Sequence, residues 1–256
     1  MQAPMNIVIP MAGAGSRFAS AGYTDPKPLI PVHDTPMIKV VIDNLRPASR
    51  DSRFIFICQR AHVAAYGLRA KFAAWAPGCE IVEIDGLTEG AACTVLAAAA
   101  LIDDERPLMI ANSDQYVDCD IDDYLSGMDR RGLDGLIMTM KANDPKWSFV
   151  GLDALGMVTT VVEKKVISDE ATVGIYNFRH GRDFVAGARA MIAANERVNG
   201  EFYVAPVYNA LIKAGARIGI HNIGTDGAGM HGLGIPADLL AFLKLPVSQV
   251  AVGVAA

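Results

Sequence analysis

A glycine-rich stretch followed by two cations stands near the start of the chain. The segment Pro10-Met-Ala-Gly-Ala-Gly-Ser-Arg-Phe18 is followed by Asp25-Pro-Lys-Pro-Leu29, so that Arg17 and Lys27 come soon after the glycines. Glycines let backbone N–H groups approach phosphate oxygens, and nearby cations neutralise a triphosphate and the charge that develops during its transfer. The predicted nucleotide contacts in this turn come from Ala12, Gly13, Ala14, Gly15 and Ser16.

Two better-known nucleotide motifs do not fit this segment. A Walker A loop requires Gly-Lys-Ser/Thr after its glycines, and a dinucleotide fingerprint requires a third, correctly placed glycine. A plain strand-to-helix turn would explain the glycines alone. The joint occurrence of the turn, Arg17 and a proline-flanked Lys27 favours a phosphate site instead.

An aspartate follows a later apolar segment. Pro107-Leu-Met-Ile-Ala111 has the pattern of a buried strand, and Asn112-Ser-Asp114 comes directly after it. A carboxylate at the carboxyl end of a strand suits Mg²⁺, which usually takes one or two carboxylates together with phosphate oxygens. A turn-capping role is the structural alternative for Asp114.

The elements that must position these residues alternate between strand and helix in the first half. Apolar runs at residues 6–10, 54–58, 80–84 and 107–111 predict strands, and segments 36–45, 61–74 and 89–101 predict helices between them. This order indicates a parallel sheet with right-handed crossovers, in which ligands bind beyond the carboxyl ends of the strands. The glycine-rich turn and Asp114 both fall there.

The second half has a different pattern. Strand-like runs at residues 136–141, 158–163 and 171–178 precede predicted helices at 181–195 and 204–214. We therefore expect one α/β domain over residues 1–256, with a nucleotide-binding half at 1–134 and an α+β acceptor-binding half at 135–256.

Composition excludes several classes of protein. The chain has 256 residues, 52% hydrophobic and 20% charged, with a net charge of −5, which argues against a nucleic-acid surface. Its four cysteines form no C-x-x-C pair and have no adjacent histidine cluster, so neither a disulfide framework nor structural zinc is indicated. Without a targeting pattern or a membrane-length apolar run, we expect a cytoplasmic protein that contacts no membrane.

The N-terminal signature resembles that of the nucleoside-diphosphate-sugar pyrophosphorylases, the sugar-phosphate nucleotidyltransferases. This resemblance implies a Rossmann-like, open, mixed and mainly parallel sheet related to the GT-A glycosyltransferases. It also implies an Mg²⁺-dependent enzyme that joins an NTP to a small phosphorylated acceptor and releases pyrophosphate. Overall similarity suggests the capsule and surface-polysaccharide branch of the family. By the same resemblance Asp114 holds Mg²⁺ against the α-phosphate.

Further family-like segments predict the remaining substrate contacts. Glu89-Gly-Ala-Ala92 and Thr94 stand where the family contacts the nucleoside, although a capped, alanine-rich helix would explain them equally well. Val162-Glu163-Lys164 is similar to a pair in which the acid grips the acceptor hydroxyls and the amine binds its phosphate. The predicted residues are, for the nucleotide, Glu89, Gly90, Ala91 and Thr94, and for the acceptor, Trp147, Glu163, Lys164, Tyr176, Asn199 and Glu201.

Structural alternatives exist for the acceptor residues too. Side chains alternate along a strand, so Glu163 and Lys164 would face opposite sides unless a twist or bulge intervenes. Trp147 and Tyr176 are also compatible with simple interfacial or core packing.

One segment departs from the family pattern. Near the C-terminus the family commonly carries an aspartate, its second metal ligand, before a Gly-Thr-Pro-like turn. This chain has Met230-His-Gly-Leu-Gly-Ile-Pro236, which puts Gly232 at that position. Asp226 is the nearest substitute in sequence, although an aspartate in a loop is by default a turn former.

Chemistry by direct in-line attack is predicted, because a phosphate monoester is already a competent nucleophile and no Ser-His-Asp or Cys-His signature is present. Arg17 and Lys27 then neutralise the phosphates, and Lys164 holds the acceptor. Three alternatives remain: a GT-A-type glycosyltransferase using Asp118-Cys-Asp120, a non-catalytic nucleotide sensor, and a cytidylyltransferase acting on a non-sugar phospho-acceptor. The sequence does not determine which base the NTP carries, which acceptor is used, or whether the protein forms a homo-oligomer.

Overall fold

The computed structural model describes residues 4–254, so residues 1–3 and 255–256 of the predicted domain lie outside the described residues. The strands in this range are β1 (Met5–Pro10), β2 (Pro31–Val32), β3 (Thr35–Pro36), β4 (Ser52–Gln59), β5 (Glu80–Ile84), β6 (Leu108–Ala111), β7 (Gln115–Val117), β8 (Gly135–Lys141), β9 (Ser148–Leu152), β10 (Val158–Glu163), β11 (Glu170–Phe178), β12 (Ile218–Asp226) and β13 (Gly229–Gly232). The α-helices are α1 (Ser16–Ser20), α2 (Met37–Leu45), α3 (Arg60–Ala65), α4 (Leu68–Trp75), α5 (Ala91–Leu96), α6 (Ala99–Ile102), α7 (Ile121–Arg130), α8 (Gly181–Ala193), α9 (Tyr208–Lys213), α10 (Pro236–Phe242) and α11 (Val247–Ala251). Two 3₁₀ turns cover Lys27–Leu29 and Ala205–Val207.

Strand β1 lies between β4 and β6 and pairs with both in parallel, and β4 pairs in parallel with β5. Ile7 is opposite Phe54 on one side and Met109 on the other. The chain passes from β1 outward to β4 and β5 and then returns to β6 on the other side of β1. Such a switch in strand order opens a crevice at the carboxyl ends of the strands.

The second half of the chain continues the same sheet. Strand β11 runs antiparallel to β6 and β8, and the order along the sheet is β5-β4-β1-β6-β11-β8-β12-β13-β7. Strand β9 pairs with both β10 and β11, while β2 and β3 form a separate hairpin. One mixed sheet thus contains strands from both predicted halves, as expected for the predicted fold class.

Helices cover both faces of the sheet, which explains the continuous apolar runs of its strands. Ile7 and Ile9 pack into the cluster that includes Tyr124 of α7, whereas Val8 packs into the opposite cluster with Phe184 of α8. All three β1 side chains are fully buried. Packing on both faces of the sheet holds β1 in place, and with it the glycine-rich loop that follows β1.

Two predicted helices are divided in the structure. The segment 61–74 forms α3 and α4, because Gly67 adopts a left-handed φ of 59° between them. The segment 89–101 becomes helical at Ala91 and is split into α5 and α6. Among residues 4–254, every helix is too short or too polar to cross a bilayer.

Candidate nucleotidyltransferase site

The glycine-rich loop turns directly from β1 into α1. Gly15 ends the loop with φ 61° and ψ 21°, a left-handed conformation that costs glycine little, and it packs beside Lys27. Within the described chain, the backbone N–H groups of residues 12–15 donate no hydrogen bond to another protein group. Successive unbonded N–H groups of this kind form a concave binding site for anions.

The loop borders the first cavity, which has a volume of about 480 Å³. Eight of the residues predicted for the nucleotide, its phosphates and the metal line it: Ala12, Gly13, Ala14, Lys27, Gly90, Ala91, Thr94 and Asp114. The other three residues of the predicted phosphate site, Gly15, Ser16 and Arg17, border a neighbouring depression together with Lys27 and Gly234. The structure therefore brings the first-half predictions, apart from Glu89, to one crevice.

Lys27 and Asp114 face each other across this crevice. Lys27 Nζ donates to Asp114 Oδ2 at 2.7 Å, and both side chains are about three-quarters buried. Lys27 lies in a 3₁₀ turn flanked by Pro26 and Pro28, which stiffens its backbone. The Lys27 ammonium group and the Asp114 carboxylate are thus held together beside the glycine-rich loop.

The surroundings of Asp114 are compatible with a divalent ion. A Cβ atom at Gly234 would lie 2.6 Å from Asp114 Oδ2, so the glycine leaves room beside the carboxylate. No cluster of three or more His, Cys, Asp or Glu side chains suited to a metal occurs in residues 4–254. One carboxylate supplemented by phosphate oxygens is a donor set that Mg²⁺ accepts.

Asp226, the predicted substitute ligand, does not line the cavity of Asp114. It ends β12, and its carboxylate lies 3.4 Å from Lys146 Nζ. Asp238 lies nearer to Gly232, the position where the family carries its second aspartate. A Cβ atom at Gly232 would lie 3.5 Å from Asp238 Oδ2. Desolvation raises the pKa of Asp238, and the positive charge of Lys146 acts in the opposite direction.

The Asp118-Cys-Asp120 motif has a structural role. Asp120 is the N-cap of α7, and its carboxylate accepts hydrogen bonds from the N–H groups of Asp122 and Asp123. A capping carboxylate of this kind stabilises a helix start by about 1 kcal/mol. This role accounts for Asp120, one of the two acids on which the glycosyltransferase alternative depended.

A second cavity of about 310 Å³ adjoins the first and shares Ala91 and Asn112 with it. Four of the predicted acceptor residues line it: Trp147, Glu163, Lys164 and Tyr176. Asn112 stands at the junction because it follows β6, at the centre of the sheet. Two ligand-sized spaces therefore meet at the end of that strand.

Glu163 is a buried acid in the second cavity, with 8% of its surface exposed. The Ser148 hydroxyl donates to its carboxylate, and burial raises the pKa of Glu163 despite that bond. Thr172 and Tyr176 add a hydroxyl pair whose oxygens are 2.9 Å apart. The cavity wall thus offers several groups that can bond to ligand hydroxyls.

Lys164 reaches the same cavity because its backbone is left-handed, with φ 54°. β10 ends at Glu163, and the reversal turns the next side chain toward the acid rather than to the opposite face. Lys164 Nζ donates to the Tyr203 hydroxyl at 2.6 Å, and this hydrogen bond raises the pKa of Lys164. The lysine is positively charged and available to a phosphate.

Three predicted contacts are placed differently from expectation. The Glu89 carboxylate is held by Arg197, so it does not line the first cavity. Glu201 lines the first cavity instead of the second, although Tyr203, two residues further on, lines the second; the chain between them is not a regular strand, so simple alternation does not apply. Asn199, with φ 50° in the turn joining Val198 to Glu201, lines neither.

Several lining residues were not singled out from the sequence. They are Pro28, Leu87, Thr88 and Asn112 in the first cavity and Ser148, Thr172 and Tyr203 in the second. Asn112 carried a usable signal, because it follows the same apolar strand as Asp114. Pro28, Leu87, Thr88 and Tyr203 lie in turns or loops, and Ser148 and Thr172 lie in β9 and β11, where no local pattern marks them.

A parallel α/β crevice with a glycine-rich anion loop, a Lys–Asp pair and an adjoining polar cavity defines a nucleotide-dependent transferase. Residues 7–194 match the family described as nucleotidyl transferase, and the chain belongs to that family. The predicted family, fold class and nucleotidyltransferase character are thereby confirmed. The capsule and surface-polysaccharide branch stays a prediction.

Curated relatives and solved structures agree with this assignment. The bifunctional protein GlmU of Cupriavidus metallidurans is 28% identical over 225 residues, and that of Burkholderia orbicola (strain AU 1054) is 31% identical over 221. Each alignment covers 84% of this chain and 46% of the relative, so the chain spans about half the length of these relatives.

Among solved structures, a nucleoside-diphosphate-sugar pyrophosphorylase from Vibrio cholerae RC9 has a TM-score of 0.77 at 28% identity, covering 93% of this chain and all of that one. A putative glucose-1-phosphate thymidylyltransferase from Bacillus anthracis has a TM-score of 0.73 at 17% identity, covering 98% of this chain and 97% of that one. At that identity the second similarity shows the fold alone.

Proposed function

We propose that this enzyme transfers a nucleoside monophosphate from an NTP to a sugar 1-phosphate and releases pyrophosphate. The observation that carries the proposal is the junction of two cavities at Ala91 and Asn112, with Lys27 on one side and Lys164 on the other. Each cavity has its own cation for an anionic substrate. We treat the described residues as one catalytic domain, because both halves contribute strands to one sheet.

The nucleotide occupies the first cavity in this proposal. The N–H groups of residues 12–15 bind its phosphates, and Lys27 and Arg17 neutralise the triphosphate charge. Glu201 and Thr94 line the same space and offer acceptors for ribose hydroxyls. The protein thereby orients the α-phosphate toward Asn112.

The acceptor occupies the second cavity. Lys164 binds its phosphate, while Glu163, with Ser148 beside it, accepts hydrogen bonds from sugar hydroxyls. A wall that combines a carboxylate with several hydroxyls suits a polyhydroxylated ring better than an apolar alcohol. This composition supports a sugar phosphate over a simple phosphorylated alcohol.

The transfer is a direct displacement. An acceptor phosphate oxygen forms a bond to the α-phosphorus, the bond from that phosphorus to the β-bridging oxygen breaks, and pyrophosphate leaves with the electron pair. Lys27 stabilises the charge on the departing phosphates, so no proton transfer or covalent enzyme intermediate is required.

Asp114 would hold a Mg²⁺ ion beside the α-phosphate. When bound, the ion would supply charge neutralisation at the phosphoryl oxygens. Lys27 must then exchange its bond with Asp114 for one to the nucleotide phosphates.

The experiment measures pyrophosphate release with Mg²⁺. ATP, CTP, GTP, UTP and dTTP are supplied separately, each with a panel of sugar 1-phosphates or with phosphocholine, and omission of the acceptor is the control. We expect release that requires one nucleotide and a sugar 1-phosphate. If phosphocholine supports release and no sugar 1-phosphate does, the acceptor is a phosphorylated alcohol and not a sugar phosphate. The absence of release from every pair would refute the proposed reaction.

A further inference from the structure

One side chain joins two of the loops that border the first cavity. Gln59, the last residue of β4, donates from Nε2 to the carbonyl oxygens of Ala12 at 2.7 Å and Gly86 at 2.8 Å. Its Oε1 accepts from the Gly86 N–H at 3.1 Å. Both amide hydrogens and the amide oxygen are therefore used to tie one loop to the other.

The strand order places this bridge beside the first cavity. Strands β5, β4, β1 and β6 are neighbours, so the loop after β5, Gln59, Ala12 and Asp114 follow one another along the carboxyl edge of the sheet. Three strand spacings of about 4.8 Å separate the loop after β5 from Asp114, roughly 14 Å in total. If the phosphates lie at Lys27 and Asp114, the nucleoside base points toward the loop after β5.

The end of that loop is held by other bonds, from Thr88 to Thr94 at 2.6 Å and from the Phe202 N–H to the Glu89 carbonyl at 2.8 Å, whereas its start has fewer contacts. Leu87, which lines the cavity, is 70% exposed, and Gly86 has no atom within 4 Å of a Cβ position. Arg60 reaches the loop only from the outside, through Asp85 at 3.0 Å. The bridge from Gln59 thus sets the distance between the loop and the backbone of Ala12.

We propose that Gln59 is a positioning residue for base discrimination. The inference rests on the proposed function, because it requires a nucleotide in the first cavity. Hydrogen bonds discriminate between bases only when their donors and acceptors are held in place before binding, and Gln59 holds the backbone of both loops at the base end. Since both of its amide hydrogens are used and Gln59 itself does not line the first cavity, it acts through these loops and not by touching the base.

The test compares kcat/KM for the preferred NTP and for each other NTP in four proteins. Gln59→Met keeps the side-chain length without hydrogen bonds, and Gln59→Glu keeps the shape but faces two carbonyl oxygens with a carboxylate. Arg60→Ala is the matched control, because Arg60 touches the same loop through Asp85, and β5 through Glu83, but does not contact Gly86 or Ala12. Circular dichroism and Tm are measured for each protein.

For Gln59→Met we expect the preference for the best NTP to fall about tenfold, through a higher KM for that NTP and an unchanged KM for the acceptor. Gln59→Glu should lose more of the preference, and Arg60→Ala should stay within about twofold of the wild type.

Three results would overturn the inference. Gln59→Met with the wild-type preference would leave the proposed function standing but remove the role of Gln59. Equal losses for all NTPs and for the acceptor, or unfolding of both Gln59 variants, would make Gln59 a general structural residue. Absence of turnover by the wild-type enzyme with every NTP would overturn both proposals.

Discussion

Gly90 lies directly against the backbone of Phe202. A Cβ atom at position 90 would stand 2.4 Å from the Phe202 carbonyl oxygen, and Gly90 itself has φ 129°. The Phe202 N–H donates to the Glu89 carbonyl at 2.8 Å, and the Ala92 N–H donates to the Phe202 carbonyl at 3.0 Å. The loop at the nucleotide cavity is therefore paired with the segment that carries Glu201 and Tyr203.

Gly90→Ala should destabilise the protein by about 3 kcal/mol, since it combines a strained φ with a steric clash against backbone. The measurement is the free energy of unfolding in urea. Gly156→Ala is the control, because Gly156 also has a positive φ of 74° but open space around it, and should cost about 1 kcal/mol. Equal losses in the two variants would show that the contact with Phe202 is not tight.

Asp114→Asn should reduce pyrophosphate release by at least about 100-fold, because the variant loses the carboxylate proposed to hold Mg²⁺. The fold should persist, as judged by circular dichroism. Isothermal titration with Mg²⁺ and a non-hydrolysable NTP should show weaker coupling between the two ligands.

Asp226→Asn is the comparison for Asp114→Asn, since Asp226 faces Lys146 rather than the first cavity. We expect its activity to stay within about threefold of the wild type. A large loss in Asp226→Asn with little loss in Asp114→Asn would reverse the metal assignment.

Lys164→Met should raise the KM for the acceptor about 30-fold and leave the KM for the NTP unchanged, because the variant loses the proposed charge-assisted bond to the acceptor phosphate. Steady-state kinetics with each substrate varied in turn measure the two constants. Tyr203→Phe keeps Lys164 and removes only the bond between them, so its effect should be about threefold or less. A matching rise in the KM for the NTP would contradict separate cavities.

Glu163→Gln should stabilise the protein above neutral pH. Burial raises the folded-state pKa of Glu163, so the wild-type protein loses stability as the pH rises from the ordinary glutamate pKa through this raised value. The glutamine variant does not titrate, and its advantage should be of the order of 1 kcal/mol at pH 8 and should shrink toward pH 5. Thermal unfolding of the wild-type protein and of Glu163→Gln at pH 5 and at pH 8 measures this difference in stability. An advantage that grows on acidification would mean that Glu163 is stabilised as a carboxylate.

The first cavity was predictable because its residues stand at strand ends. Apolar runs located β1 and β6, and the rule that ligands bind at the carboxyl edge of a parallel sheet brought the glycine-rich loop, Lys27 and Asp114 together. Strands β7, β12 and β13 escaped notice because they are short or carry polar and glycine residues.

The second cavity depends on backbone geometry that no residue pattern displays. Strict alternation would separate Glu163 from Lys164, but the left-handed φ of Lys164 turns both into one space. The position of Glu89 outside the first cavity was not predictable, because its partner, Arg197, is distant in sequence and approaches only in the folded protein. Tertiary ion pairs of this kind leave no local periodic signal.

The shared wall of the two cavities has a consequence for inhibitor design. Ala91 and Asn112 border both cavities. On the proposed function, a compound that joins a nucleotide to a sugar phosphate by a short linker could therefore occupy both cavities in a single binding event. Tethering of two such fragments raises their effective concentration to the millimolar range or above when the linker matches the span. Affinity would then be governed by linker length and stiffness, with the shortest linkers that cross Asn112 favoured.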